Sequence, residues 1–265
     1  MKALCKLSMV ALMGAVASRT FAQDIEVTGS AYADYVTTRV FRGQILNRAP
    51  SIQPGADVTF GCDTLSGLTL GIWADLAMGG VQMRKYQGYF VDRYKIGEVD
   101  FTASYKLPVD VDNLTWSVGH TIYYFTRDWD NDREAGEDYE INTVLSYETC
   151  LDPTLRLCYV YTGNNKEMFY VEGGLSRAVP VTDDVDVTFG GITGVNRILD
   201  ESSWWLNGEV YAEASWKFVK ARLAYTSIFN WSGNDSHYYR YLSDNRNRRW
   251  LHNQLYGSVG VFHTF

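Results

Sequence analysis

The sequence predicts an all-β protein: a transmembrane up-and-down antiparallel β-barrel of about twelve strands, behind a cleaved signal peptide. Three observations carry this prediction. Apolar and polar residues alternate with period two over repeated stretches of the chain. Aromatic residues make up 15% of the sequence while Pro numbers only 5, and strands favour aromatics and exclude Pro from central positions. The chain stops on an aromatic, Phe265, at the end of one alternating run.

The alternation is clearest over residues 209–218. Glu209, Tyr211, Glu213, Ser215 and Lys217 share one face, and Val210, Ala212, Ala214, Trp216 and Phe218 share the other. Successive strand side chains point to opposite faces, so this segment builds one polar and one apolar wall. Residues 98–107 repeat the pattern, with Glu98, Asp100, Thr102, Ser104 and Lys106 opposite Val99, Phe101, Ala103, Tyr105 and Leu107. On this basis strands are expected at 25–38, 51–61, 66–78, 97–107, 113–126, 138–148, 154–162, 167–177, 184–196, 206–218, 219–230 and 255–265. In hydrocarbon every backbone N–H and C=O needs a partner within the protein, so such a sheet has to close on itself.

The connections fit an even-stranded barrel with both ends on the periplasmic side. Those at 39–50, 79–96, 127–137, 163–166, 197–205 and 231–254 become extracellular, and most are longer than the periplasmic ones at 62–65, 108–112, 149–153, 178–183 and near residue 218. Pro108, Asp152-Pro153 and Pro180 mark short turns. Trp116, Trp216, Tyr225 and Trp231 suit interfacial girdles, where an amphipathic ring is half wet. The last strand, Val259, Val261, His263 and Phe265 on one face, ends in the aromatic expected as a signal to the barrel-assembly machinery.

The first 22 residues read as the signal peptide: Lys2 and Lys6, then a short apolar stretch, then Thr20-Phe21-Ala22 as a cleavage site. Residues 23–265 form one barrel domain. Removing Lys2, Lys6 and Arg19 leaves 21 Lys+Arg against 31 Asp+Glu, a net charge of −10, which argues against a nucleic-acid partner. Export places the barrel in the bacterial outer membrane, with lipid and lipopolysaccharide as its surroundings. The mature chain keeps Cys62, Cys150 and Cys158, an odd number, and Cys150 and Cys158 flank one turn and could pair.

At the first strand and loop the sequence resembles the TorF-type porin family of small outer-membrane barrels. The matching residues are Thr37-Thr38-Arg39-Val40-Phe41-Arg42-Gly43, then Pro50, Ile52-Gln53 and Asp57-Val58-Thr59-Phe60, with Ser66 to Trp73 similar to the family's third strand. Arg39 stands where the family usually has Tyr. The resemblance covers about the first fifth of the chain and implies a pore-forming outer-membrane barrel.

With the apolar face outward, the inward acids are Glu26, Asp34, Asp57, Asp75, Glu98, Asp100, Glu140, Glu172, Asp186, Glu209 and Glu213. The inward bases are Lys106, Arg156, Lys217, Lys220 and Arg222. An open lumen with this excess of carboxylates prefers cations. The alternative is a closed lumen in which acids and bases pair into a ladder that fills a narrow barrel. Arg42, before Gly43, either reaches the pore mouth or anchors its loop to a carboxylate such as Asp34 or Asp57.

Three further features point elsewhere. Asp128, Asp130 and Asp132 resemble a calcium loop, but Arg133 and Tyr139 occupy positions where that motif needs Gly and Glu, and no metal or cofactor is expected. Ser236, His237 and His252 lie in a polar Arg-rich loop, and their proximity in sequence does not build a hydrolase site. His120 falls on the outward face, where an imidazole in lipid is costly. The expected function is passive diffusion of small hydrophilic solutes, with a closed structural barrel as the second reading and a barrel hydrolase as the third.

Overall fold

The computed structural model describes residues 26–47, 49–61, 65–78, 95–125, 136–163, 167–199, 203–232 and 253–265. The signal peptide, Cys62, the acidic run at 128–134 and the Ser236–His252 loop lie outside these residues. The described elements are all strands: β1 (Val27–Val36), β2 (Arg39–Phe41), β3 (Gln44–Asn47), β4 (Ser51–Phe60), β5 (Leu68–Ala77), β6 (Lys95–Leu107), β7 (Leu114–Phe125), β8 (Gly136–Tyr147), β9 (Thr154–Gly163), β10 (Met168–Thr182), β11 (Val185–Ile198), β12 (Ser203–Trp216), β13 (Val219–Ser232) and β14 (Asn253–Thr264). Twelve of them pair antiparallel into one closed barrel, and β2 and β3 form a separate two-stranded hairpin.

The seam lies between β1 and β14, in register from Ser30 opposite Thr264 to Val36 opposite Ser258. Phe265 extends it, exchanging backbone hydrogen bonds with Gly29 at 2.9 and 3.0 Å. The barrel strands run from 10 to 15 residues, enough to span a bilayer, which takes roughly 9–11 residues of tilted strand. All twelve predicted strands are present, with ends moved by a few residues. The largest change is in β10, which runs on to Thr182 and keeps Pro180 inside the strand, at a shift of register.

The two walls divide as the alternation predicts. Val210, Leu223, Leu255 and Phe229 point outward and are 57–65% exposed, whereas inward Asp75 and Glu140 are only 3% and 2% exposed. Apolar groups outside and carboxylates inside is the inversion that lipid imposes on a barrel. At the end where β1 begins and β14 ends, exposed Tyr105, Trp116, Tyr147, Trp216, Phe218 and Phe265 form an aromatic belt. Tyr225 lies midway along β13 instead, so it belongs to the apolar band rather than a girdle. The side chain of Trp231 is outside the described residues.

Three expectations are corrected. Lys217 does not enter the lumen: β12 stops at Trp216, and Lys217 sits in the following turn with φ 52° and its amine 3.9 Å from Asp184. Cys150 and Cys158 do not pair: Cys150 is exposed in a turn and Cys158 is buried on the inner wall of β9. Residues 39–47 do not form a simple external connection; they make the β2–β3 hairpin. His120 now has an account. Its Nε2 lies 2.8 Å from the Tyr161 hydroxyl, which gives the imidazole a polar partner on an apolar surface, and the rings of His120, Tyr139 and Tyr161 cluster at tilted angles with centroids 5.9–6.2 Å apart on the outer wall.

Candidate functional site

The β2–β3 hairpin crosses the lumen. Its turn has two central residues, Arg42 at φ 50° and Gly43 at φ 77°, as a two-residue hairpin turn of the primed type requires. Gly43 is doubly constrained, because a Cβ there would stand 2.3 Å from the Asn207 Cβ on β12. The Trp205 indole, also on β12, donates to the Arg42 carbonyl at 3.3 Å. A twelve-strand barrel measures roughly 24 Å between opposite backbones, from strand spacing and tilt. The tip therefore reaches the far wall, where it meets β8, β10 and β12.

Two arginines dock the hairpin. Arg39 hydrogen-bonds Glu98 on β6 and lies 3.4 Å from Asp75 on β5, with its guanidinium 5.4 Å from the Trp73 ring. Arg42 hydrogen-bonds Glu140 on β8, and its guanidinium lies 4.7 Å from the Phe41 ring and 4.6 Å from the Tyr170 ring. The Arg42 side chain is only 7% exposed and Glu140 3%. Arg42 thus anchors its loop to a carboxylate, but to neither expected partner. Asp34 pairs instead with Lys220 at 3.1 Å, and Asp57 accepts from the Ser30 hydroxyl at 2.9 Å. The reason is reach: β8 lies four strands on from β4, so the hairpin carries Arg42 away from the wall that holds Asp34 and Asp57.

The same chemistry recurs on the wall. Arg222 on β13 stands 3.7 Å from the Tyr211 ring, bonded to Glu209 and 4.0 Å from Glu213. Lys220 stands 5.4 Å from the Tyr32 ring beside Asp34. In each case a cation rests on an aromatic face while a carboxylate closes the side, an arrangement strengthened by desolvation. Three of the rings lie against glycine: a Cβ at Gly55, Gly190 or Gly194 would come within 2.3–2.4 Å of Tyr32, Tyr211 or Tyr170. The missing side chain lets each tyrosine lie across the wall and turn a face to the lumen.

Below the hairpin tip is a cavity of about 470 Å³, lined by Arg42, Glu140, Arg156, Glu172, Glu209 and Tyr256 among others. Three lumen tyrosines donate to three of its carboxylates: Tyr123 to Glu140 at 3.1 Å, Tyr170 to Glu172 at 2.6 Å and Tyr256 to Glu209 at 2.5 Å. Arg156 is exposed and lies opposite Glu172 in register. Asp100 lies opposite Trp73 and Tyr123. Glu213 belongs to the Arg222 pair, and Asp34 and Asp57 lie on the far side, near the seam.

Sequence reasoning did not single out Arg39 as a docking residue, nor Phe41, Trp73, Tyr170, Tyr211 and Asn207. One signal was available. Arg42-Gly43-Gln44 separates Val40-Phe41 from Ile45-Leu46, and a short polar run containing Gly between apolar pairs marks a tight hairpin.

No family model and no curated protein sequence matches the chain. Among solved structures, the barrel is similar to an outer membrane channel of Pseudomonas putida F1, at 11% identity over 90% of this chain and 95% of that one, with a TM-score of 0.45. It is also similar to the NanC porin, at 10% identity over 89% and 99%, TM-score 0.48. LpxR from Salmonella typhimurium is similar at 9% identity over 89% and 99%, TM-score 0.46. Likenesses at this level do not bear on activity.

Proposed function

We propose that the protein is a porin-type channel of the bacterial outer membrane, passing small hydrophilic solutes by passive diffusion through a lumen narrowed by the β2–β3 hairpin. The observation that carries this reading is the cavity inside the closed barrel, about 470 Å³, with charged groups of both signs on its walls. The resemblance of residues 37–43 to the TorF-type porins supports it, and that stretch includes β2 and the hairpin turn. Asp34, Arg42, Asp57, Asp75, Glu98, Asp100, Glu140, Arg156, Glu172, Glu209, Glu213 and Arg222 are the groups a solute would meet. Phe265 would serve as the barrel-assembly signal, with outer-membrane lipid and lipopolysaccharide around the outer wall.

The test is conductance of the purified protein in a planar bilayer under a salt gradient. Stable current steps with a reversal potential favouring cations are expected, because inner acids outnumber inner bases. A folded barrel that passes no current would favour the second reading, a closed structural barrel. That reading rests on the docking of Arg39 and Arg42 against buried carboxylates across the opening.

A further inference from the structure

We infer that the cavity below the hairpin is a binding site for small organic cations bearing a guanidinium or ammonium group, and that Arg42 occupies part of it as a built-in stand-in. This deepens the channel reading and rests on it for the route by which a solute arrives.

The lumen wall treats its own cations in one repeated way. Four times it seats one on an aromatic ring with a carboxylate at its side: Arg39 at Trp73, Arg42 at Tyr170, Arg222 at Tyr211 and Lys220 at Tyr32. Aromatic faces and carboxylates together are the recognition set for organic cations. The Arg42 seat differs from the two on the wall in one respect that matters. Its occupant comes from a loop rather than from the strands that form the seat, so it can leave without unpairing the sheet.

Arg42 also fits its seat imperfectly. Its Nη1 is buried and has no hydrogen-bond partner among the described residues, although the side chain is 93% buried. A buried donor left unmade is costly, so the tethered guanidinium uses the seat below its capacity. Its own backbone is held at positive φ as well, a conformation uncommon for a residue with a side chain. An untethered cation can adjust its position, keep the Glu140 contact and place its second group against Glu172 or Glu209 in the adjoining cavity. The volume, about 470 Å³, falls within the range of small-molecule sites. Binding there displaces Arg42 and loosens the hairpin, so the solute that fits the site also widens its own path.

The test uses agmatine, which carries a guanidinium at one end and an ammonium at the other, titrated calorimetrically into the detergent-purified protein. Arg42→Ala vacates the seat, and agmatine is expected to bind this variant at least about tenfold more tightly than wild type. Adding Glu140→Gln to Arg42→Ala is expected to remove that gain, while succinate shows no gain in either variant. Equal agmatine affinity in wild type and Arg42→Ala, or a gain that survives Glu140→Gln, overturns the inference. If Arg42→Ala does not yield a closed barrel, Arg42→Gln vacates the charge with less loss of packing and is read in the same way. A protein that binds agmatine as expected but passes no current in a bilayer overturns the channel reading and leaves the site standing. One that conducts without such binding does the reverse.

Discussion

Arg222 and Lys220 sit on strands of the wall, whereas Arg39 and Arg42 arrive on a hairpin from across the lumen. All four rest on aromatic rings beside carboxylates, yet their surroundings differ. The Arg222 and Lys220 side chains are 27% and 29% exposed, and those of Arg39 and Arg42 are 11% and 7%. The wall pairs lie one or two strands apart at levels already set by the ladder: Arg222 is opposite Glu213, and Lys220 is opposite Gly260, itself opposite Asp34. The hairpin pairs join residues 36, 59 and 98 positions apart. Half-wet pairs contribute at most about 1 kcal/mol, while removing one partner of a buried pair costs about 3–5 kcal/mol. The sheet therefore positions the wall cations, and on the hairpin the cations position the chain.

Breaking both docking arginines gives the largest effect. In Arg39→Ala/Arg42→Ala, Asp75, Glu98 and Glu140 lose their cations and the hairpin loses its two ion-paired anchors. Single-channel conductance is expected to rise by a factor of about two or more, with stronger cation preference, since an acid-lined opening replaces a bridged one. Unchanged conductance in a folded barrel would mean that the Trp205 and Asn207 contacts hold the tip without the charges. Glu140→Gln is the milder break. A neutral amide still accepts from Arg42, but the charge assistance goes, so a smaller rise in conductance is expected, measured in the same bilayer.

How much of this could be read beforehand follows from the same division. The twelve barrel strands were legible because one wall faces lipid and the other faces polar groups, so each strand alternates on its own, as residues 209–218 show. The inward positions of Asp75, Glu98, Glu140 and Glu209 follow from that alternation. The hairpin was not legible in this way. Phe41 packs edge-on against Tyr123 at 6.0 Å inside the lumen, so an apolar side chain there points where polar ones were expected. The partner of Arg42 depends on how far a short hairpin reaches across a closed barrel, which no local pattern encodes. The turn at Lys217 was missed because the alternation of β12 runs on in sequence two residues past the last paired position, Trp216, through Lys217 and Phe218.

Arg222→Ala sharpens the comparison from the wall side. It removes the cation shared by Glu209 and Glu213 without touching the hairpin. Its expected effect is on selectivity rather than opening: the reversal potential shifts toward cations, while the conductance step changes less than in Arg39→Ala/Arg42→Ala. A conductance increase as large as that of the double variant would mean that the wall and hairpin cations act as one network.

The smallest effect is expected on the outer wall, which serves as a control for both regions. Tyr161→Phe removes the hydroxyl that pairs with His120 Nε2 at 2.8 Å and leaves the ring in its contact with Tyr139. One neutral hydrogen bond contributes about 0.5–1.5 kcal/mol net, so the urea midpoint of the barrel should fall slightly. Loss of the partner leaves an imidazole nitrogen facing lipid, which places the cost toward the upper part of that range unless the side chain rotates to the interface. Neither conductance nor selectivity should change, because His120 and Tyr161 point away from the lumen. A change in conductance from this variant would show that the wall itself deforms, and the effects assigned to the hairpin arginines would then need to be separated from deformation of the barrel.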